Sequence, residues 1–349
     1  FVPYDLTQEN YTRLLWIFEG FTSYYDDLML ARAGKLDETG YLKSVGRTIA
    51  QVMKGPGRLN QSVADSSFDA WTKYYRQDEN APNSIVSYYT KGALVALCLD
   101  SAIRQHTAGK KNLDDVMRLM WQRKGLTGEG LHEDEFATLV EEATGIDLQQ
   151  QLQQWTHGTA ELPLNNALKT YGFSLSQSPN DEAVYLGLNG QFKPEGMLVK
   201  QVINGGPAHL AGVSAGDVLV AMGGKRLTEI NYKRFLASAQ PGEEIAPIGL
   251  CQRHGEHRAD RSSRRRRVSP RMAVERCHRR GAAIASESGR AAGRDSVGSR
   301  RPMVTTVLAR RRHRRIRSSF ATLGSPRFFG LRAFFGCQSL FARPRPNPD

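Results

Sequence analysis

Leu15-Trp16-Ile17-Phe18-Glu19-Gly20-Phe21-Thr22-Ser23-Tyr24-Tyr25 sets a single carboxylate among large apolar side chains, and its spacing is helical. An apolar stripe through Leu14, Phe18, Phe21, Tyr25 and Leu28 predicts one long helix, with Asp5 or Thr7 as N-cap and Gly34 as its stop. On that helix Leu15, Glu19, Thr22 and Asp26 share a face beside the stripe. Glu19 then lies either at the rim of the packing or inside it. A buried carboxylate is costly without a partner, so burial demands a cation, a metal or several hydrogen-bond donors. The plainer alternative is an ion pair with a nearby Arg or Lys.

Outward from this helix the same periodicity continues to about Gly158. Further helices are expected near 39–54, 63–75, 84–106, 113–123, 133–143 and 148–155, divided by turn signals such as Gly55-Pro56-Gly57 and Asn80-Ala81-Pro82-Asn83. After Leu162-Pro163 the helical period is lost, and 163–180, with its Ser-, Gln- and Pro-containing end, reads as a linker. Short alternations at 184–188, 197–202 and 217–221, punctuated by glycine, predict a small β-rich domain over 181–250. The fold class is a mainly α-helical part over 1–162 followed by this β-rich domain. The closing strand after Pro241-Gly242-Glu243-Glu244 is barely begun at Ile245-Ala246-Pro247-Ile248, so the domain reads as truncated.

The chain of 349 residues carries a formal net charge of +13, a balance that ordinarily points to nucleic acid or an anionic membrane. That charge is unevenly spread. Residues 251–349 hold 25 Arg, no Lys and 6 acidic residues, which leaves 23 basic and 29 acidic residues in 1–250. An acidic protein of net −6 is therefore joined to a tail of net +19. Three readings fit the tail: Arg clusters (264–267, 310–315) that pair with phosphate, a solvated disordered segment, or coding sequence read out of register. The break in composition inside the β-rich domain favours the last. Nonspecific, salt-sensitive nucleic-acid contact is expected of the tail alone under any of them.

With 40% hydrophobic residues the chain has ample core material, which excludes a wholly disordered protein. No window approaches the roughly 18–20 apolar residues of a membrane span. Phe1-Val2-Pro3-Tyr4 lacks the basic start of a signal peptide, and the chain is expected to begin inside something larger. Only Cys98 lies outside the tail, whose thiols are Cys251, Cys277 and Cys337; neither a disulfide framework nor a paired-cysteine metal site follows from these spacings.

A second constellation is Ser87-Tyr88-Tyr89-Thr90-Lys91-Gly92-Ala93-Leu94, expected early in a helix. Gly92 beside Ala93 leaves a small-residue face that admits a close helix neighbour, and a tyrosine one turn earlier can aim its hydroxyl into a cleft. A phenol donates a hydrogen bond without taking charge at neutral pH, which suits an oxyanion stabiliser. The alternative is a tyrosine in a helix interface with its hydroxyl at the surface.

These segments carry a resemblance. LWIFEGFTSYYDDL resembles the element of gluzincin metallopeptidases that holds the third zinc ligand, and YTKGA is similar to the Y-E-K-G-A element of the aminopeptidase N group. The phrases PYDLTQENYTRLLW, PGRLNQSVADSSFDAWTKYYRQDENAPNSIVSYYTKGALVALCLD and GTAELPL resemble the glycyl aminopeptidase family, which joins a helical catalytic domain to a PDZ domain. The resemblance implies that Glu19 is a zinc ligand and that the Tyr89 hydroxyl steadies a tetrahedral intermediate, with Tyr88 the competing candidate. The implied partner is a peptide or protein substrate. Tyr185-Leu186-Gly187-Leu188 is similar to the PDZ loop whose backbone N–H groups hold a peptide carboxylate, which makes Leu186, Gly187 and Leu188 candidate contacts for a carboxyl-terminal peptide. One departure stands out. None of the eight His, at 106, 132, 157, 209, 254, 257, 278 and 313, has the H-E-x-x-H spacing of a zinc peptidase helix. The zinc site implied by the family is incomplete in this chain, and the chain alone is expected to be inactive.

Overall fold

The computed structural model describes residues 4–178, 184–240, 243–245 and 247–250, and the strand segments 272–273, 275–276 and 281–286. Among the described residues no helix is long and apolar enough to cross a membrane. The tail beyond those segments lies outside the described residues, and with it the expectations of a disordered segment and of nucleic-acid contact.

The first helix, α1 (Leu15–Arg32), begins well after the expected caps. Asp5 instead accepts the Thr7 N–H at 2.9 Å and its hydroxyl at 2.7 Å, while the Asn10 amide ties down Asp5. Such local side-chain bonds offer the backbone an alternative to helix. The buried face is also rotated from the expected stripe: Trp16, Ile17, Gly20, Phe21 and Tyr24 are inside. Trp16, Phe21 and Phe136 meet edge to face, with centroids 5.5–5.8 Å apart. α2 (Glu38–Lys54) is capped by Asp37, and α3 (Val63–Phe68) by Ser62. A π-turn at Ala70–Tyr74 follows, then a short α4 (Ala81–Ser84).

The helix expected over 84–106 is interrupted, and α5 starts only at Thr90 and runs to His106. Between them Val86 gives its N–H to the Gln61 side chain at 3.1 Å, and its carbonyl accepts the Ser66 hydroxyl. Tertiary hydrogen bonds thus replace helical ones. α5 is buried almost continuously from Lys91 to Ser101 and forms the axis of the helical part. α6 (Leu113–Met120) opens with a capping box of Asn112 and Asp115, and α7 (Glu135–Thr144) and α8 (Gln149–Thr156) complete the wrap. The stretch 163–180, expected as a linker, instead contains α9 (Leu164–Lys169) and β1 (Phe173–Ser178). Leu164, Ala167 and Leu168 enter the main core, a burial too short-ranged to show in the sequence period.

A second core belongs to the small antiparallel sheet. Its strands and helices are β2 (Val184–Tyr185), β3 (Leu188–Lys193), β4 (Gly196–Val202), α10 (Pro207–Leu210), β5 (Val218–Met222), β6 (Lys225–Arg226) and α11 (Glu229–Ser238). After β7 (Glu244–Ile245), β8 (Pro247–Leu250) lies antiparallel to β5, pairing Leu250 with Val218 and Pro247 with Met222. The strand expected to start around 245–248 is thus seen at Pro247–Leu250. The order is β3-β4-β5-β6 with β8 also against β5, so among the described residues β3 ends the sheet. Further on, β9 (Met272–Ala273) pairs with β7, β10 (Glu275–Arg276) with β2, and β11 (Gly281–Ser286) with β1. Asn83 of α4 joins the two cores: only 3% exposed, its amide donates to the Val202 carbonyl at 2.8 Å and accepts the Asn204 N–H at 2.9 Å.

Candidate functional site

Gly20 and Gly92 meet where α1 crosses α5. A Cβ on Gly20 would stand 2.6 Å from the Gly92 Cα, and one on Gly92 would stand 2.8 Å from the Trp16 carbonyl oxygen. Only glycine at both positions lets the two backbones touch. The crossing has a positional consequence. Glu19 precedes Gly20, and Tyr89 is the N-cap residue of α5, one turn before Gly92. Two segments far apart in the chain are thereby brought face to face.

Glu19 is half-buried, and burial pushes its carboxyl above the ordinary value; a hydrogen bond from the Tyr89 hydroxyl draws it part of the way back. No cation contributes to its surroundings among the described residues, so the ion-pair alternative finds no support there. Burial, then the contact with Tyr75, then the Glu19 charge push the Tyr89 phenol far above its usual range. It is a neutral donor at physiological pH. Tyr88 is placed differently: it is 1% exposed, and its hydroxyl donates to that of Tyr75 at 3.2 Å. The hydroxyl that tempers the Glu19 carboxyl is that of Tyr89, and Tyr88 has no part in that shift.

Four tyrosines pack here. The Tyr88 and Tyr89 rings stack at 4.7 Å, and Tyr74 lies 4.7 Å from Tyr88 and 5.9 Å from Tyr89. Tyr74 and Tyr75 reach this position through the π-turn, closed by the Tyr75 N–H on the Ala70 carbonyl at 2.9 Å. π-turns re-aim side chains, and they recur at functional sites. Neither tyrosine was a candidate from the sequence, where 63–75 reads as continuous helix.

Sequence reasoning missed two further groups. Arg58 is 7% exposed and pairs with Glu161 at 2.7 Å, while the buried Lys91 gives its ammonium to the Arg58 carbonyl at 3.2 Å. Burial lowers the Lys91 pKa, opposed by the charge of Glu161. Three separate phrases, PGRL, YTKGA and AELP, so converge. The second group centres on Asp100, 3% exposed, which accepts from Tyr24 (3.0 Å), Tyr171 (2.7 Å), Arg104 (2.9 Å) and the Leu113 N–H (2.8 Å). No periodicity identifies such a carboxylate, because its donors come from four places in the chain.

Among the described residues no three His, Cys, Asp or Glu side chains gather around a point that a metal could occupy. A catalytic zinc takes three protein ligands, so Glu19 and a phenol do not by themselves fit one. A small cavity of about 30 Å³ bounded by Ser23, Tyr24, Asp27 and Tyr41 has neither Glu19 nor Tyr89 in its wall.

In the sheet domain, Leu186 and Gly187 form the turn between β2 and β3 and Leu188 opens β3. Gly187 has φ +70°, and its neighbour across the turn is the Gly206 backbone. A side chain there would be strained and crowded. The Gly187 carbonyl accepts the Ile203 N–H at 2.7 Å and that of Leu186 the Ala208 N–H at 2.9 Å, so the turn is braced from its carbonyl side. Tyr232, Phe235 and Leu236 of α11 pack on the core beside Leu188 and Phe192, and the Phe192 and Tyr232 rings meet at 5.6 Å. An end strand beside a helix is the setting in which an extended peptide adds to a sheet.

Comparison with known proteins follows the same division. Residues 1–95 match the M61 glycyl aminopeptidase family, and residues 198–246 match a PDZ domain. An aminopeptidase N family protein from Idiomarina loihiensis is 33% identical with a TM-score of 0.72, over 82% of this chain and 49% of that one. This chain spans about half the length of that relative. A serine endoprotease from Yersinia pestis is 26% identical (27% of this chain, 29% of that one, TM-score 0.20), and the HtrA-type protease AlgW with decapeptide is 22% identical (27% and 29%, TM-score 0.21). Scores that low carry no argument about fold. No curated protein matches the chain.

Proposed function

From a chain that carries an M61 glycyl aminopeptidase segment followed by a PDZ domain, we infer a part of a zinc-dependent aminopeptidase that hydrolyses amino-terminal peptide bonds, small residues such as Gly being the favoured class. The observation that supports it most is the Glu19–Tyr89 pairing at the Gly20–Gly92 crossing. Glu19 would provide one anionic metal ligand. Tyr89, neutral and fixed, would donate to the oxyanion that develops when the peptide carbonyl is attacked, and one such donor is worth roughly 10²–10³ in turnover. Among the described residues neither the other ligands nor a water-activating base gathers beside Glu19, and the chain alone is proposed to be inactive. Metal analysis and a glycyl-substrate assay of the purified chain test this. No turnover and no zinc lost on Glu19→Ala are expected; stoichiometric zinc that depends on Glu19, or hydrolysis, would refute it.

A second reading concerns the sheet domain, which is proposed to capture a peptide carboxyl terminus at Leu186, Gly187 and Leu188. The braced turn and the terminal position of β3 favour it. Short peptides with free carboxyl ends are expected to bind at least tenfold more tightly than their amidated twins, since one charge-assisted contact is worth about 1.5–3 kcal/mol. Isothermal titration measures the ratio, and equal affinity counts against carboxylate capture.

A further inference from the structure

Asn83, buried between the helical part and the sheet domain, has every polar group of its side chain engaged. Its amide nitrogen donates to the Val202 carbonyl at 2.8 Å and to Asn80 Oδ1 at 3.0 Å, and its oxygen accepts the Asn204 N–H at 2.9 Å. A backbone carbonyl only accepts and a backbone N–H only donates, so Val202 and Asn204 fix which end of the amide faces which. The helical side holds Asn83 just as firmly. The Asn60 amide donates to the Asn83 carbonyl at 2.7 Å, and the Asn83 N–H donates to the Asn80 carbonyl at 2.8 Å. Gly55 lies so near α4 that a Cβ on it would stand 2.8 Å from the Pro82 carbonyl oxygen.

On the sheet side Asn83 brackets Ile203 by holding the residue before it and the residue after it. Ile203 in turn donates its N–H to the Gly187 carbonyl at 2.7 Å. That carbonyl shares one planar trans peptide with the Leu188 N–H, which points the opposite way. Leu188 itself pairs in register with Val202. Because Ile203 bonds to Gly187, the adjoining pair turns its backbone groups outward: Val202 gives its carbonyl to Asn83, and Leu188 aims its N–H to the side of β3 away from β4. We infer that Asn83 is a positioning residue for peptide capture: acting through 202–204 and the Gly187 carbonyl, it lets the helical part fix the direction of the Leu188 N–H that receives a peptide carboxylate. This rests on the reading of Leu186, Gly187 and Leu188 as the carboxylate turn. The neighbouring Leu186 carbonyl, by contrast, is braced by Ala208 from within the sheet domain.

Isothermal titration of the full chain with the free and amidated peptides tests the inference, together with hydrogen exchange at the Ile203 N–H. Asn83→Ala should lower the preference for the free carboxyl by about threefold or more, the worth of one neutral hydrogen bond, and should quicken exchange at Ile203. Asn60→Ala, an exposed change that frees Asn83 from the helical side only, should lower the preference less. Ser84→Ala, which removes a bond within α4 to the Asn80 carbonyl, should leave it unchanged. A merely structural Asn83 would weaken both peptides alike and keep their ratio. A preference that survives Asn83→Ala, or falls equally in Ser84→Ala, or falls without faster exchange at Ile203, overturns the inference. Should Asn83→Ala fail to fold, Asn60→Ala decides, and an unchanged preference there overturns it. If the wild-type chain shows no preference, the carboxylate turn itself fails and the role of Asn83 with it; a wild-type preference that ignores Asn83 sinks the positioning role alone.

Discussion

Asp100→Ala is expected to remove about 4 kcal/mol of stability, within the 3–5 kcal/mol typical of breaking a buried charged pair. The carboxylate is the common acceptor for α1 through Tyr24, for α5 through Arg104, for the start of α6 through the Leu113 N–H and for the turn after α9 through Tyr171. Alanine leaves four donors behind. Leu113 is fully buried and Tyr24 nearly so, and each buried donor left unmet costs about 1–3 kcal/mol. Arg104 is partly exposed and can turn to water, which keeps the sum below the simple total. A change of this size lowers the melting temperature by roughly 8–16 °C in a domain of this length. Asp100→Asn, which still accepts but presents an NH₂ to one donor, should fall between alanine and wild type. Calorimetry of the three proteins decides it, and a loss under about 1 kcal/mol for alanine would show that the four donors find other partners.

Gly20→Ala is expected to cost a net ~2 kcal/mol and to disconnect the site. The new methyl would stand 2.6 Å from the Gly92 Cα and 2.7 Å from its carbonyl carbon. Backbone cannot swing aside as a side chain does, so α1 and α5 must separate, and overpacking of this kind costs about 1–3 kcal/mol or more. Against that, alanine favours helix over glycine by about 1 kcal/mol. Strain wins because it acts on two helices, whereas propensity acts at one residue. The functional effect exceeds the energetic one: once the helices part, the Tyr89 hydroxyl loses Glu19. In denaturant titration the midpoint should fall at constant slope. A more stable Gly20→Ala protein would mean that the crossing has slack.

Much of the fold was legible because burial is periodic along single elements. The helical region and the switch to short strands both follow from local spacing. Boundaries failed where side chains compete for backbone groups: Asp5 and Asn10 hold the chain out of α1, and Gln61 and Ser66 break the helix before Tyr89. At the site, the residues of the pair were legible and their partners were not. Spacing alone left Tyr88 and Tyr89 open, since both precede the same glycine. Tyr74 and Tyr75 lay concealed in an apparently regular helix, and Asp100 and Glu161 have no local pattern to betray them.

By itself the sequence determined the two-part architecture, the small-residue contact at Gly92 and the anomaly of a carboxylate among aromatics. Each is written within a few consecutive residues, where period and side-chain volume are read directly. Only the tertiary structure decided which tyrosine meets Glu19, which face of α1 is buried, and that Asp100, Arg58 and Asn83 hold distant segments together. Those outcomes depend on hydrogen bonds between groups far apart in the chain, and such bonds form only after the helices have packed and excluded the water that would otherwise satisfy them.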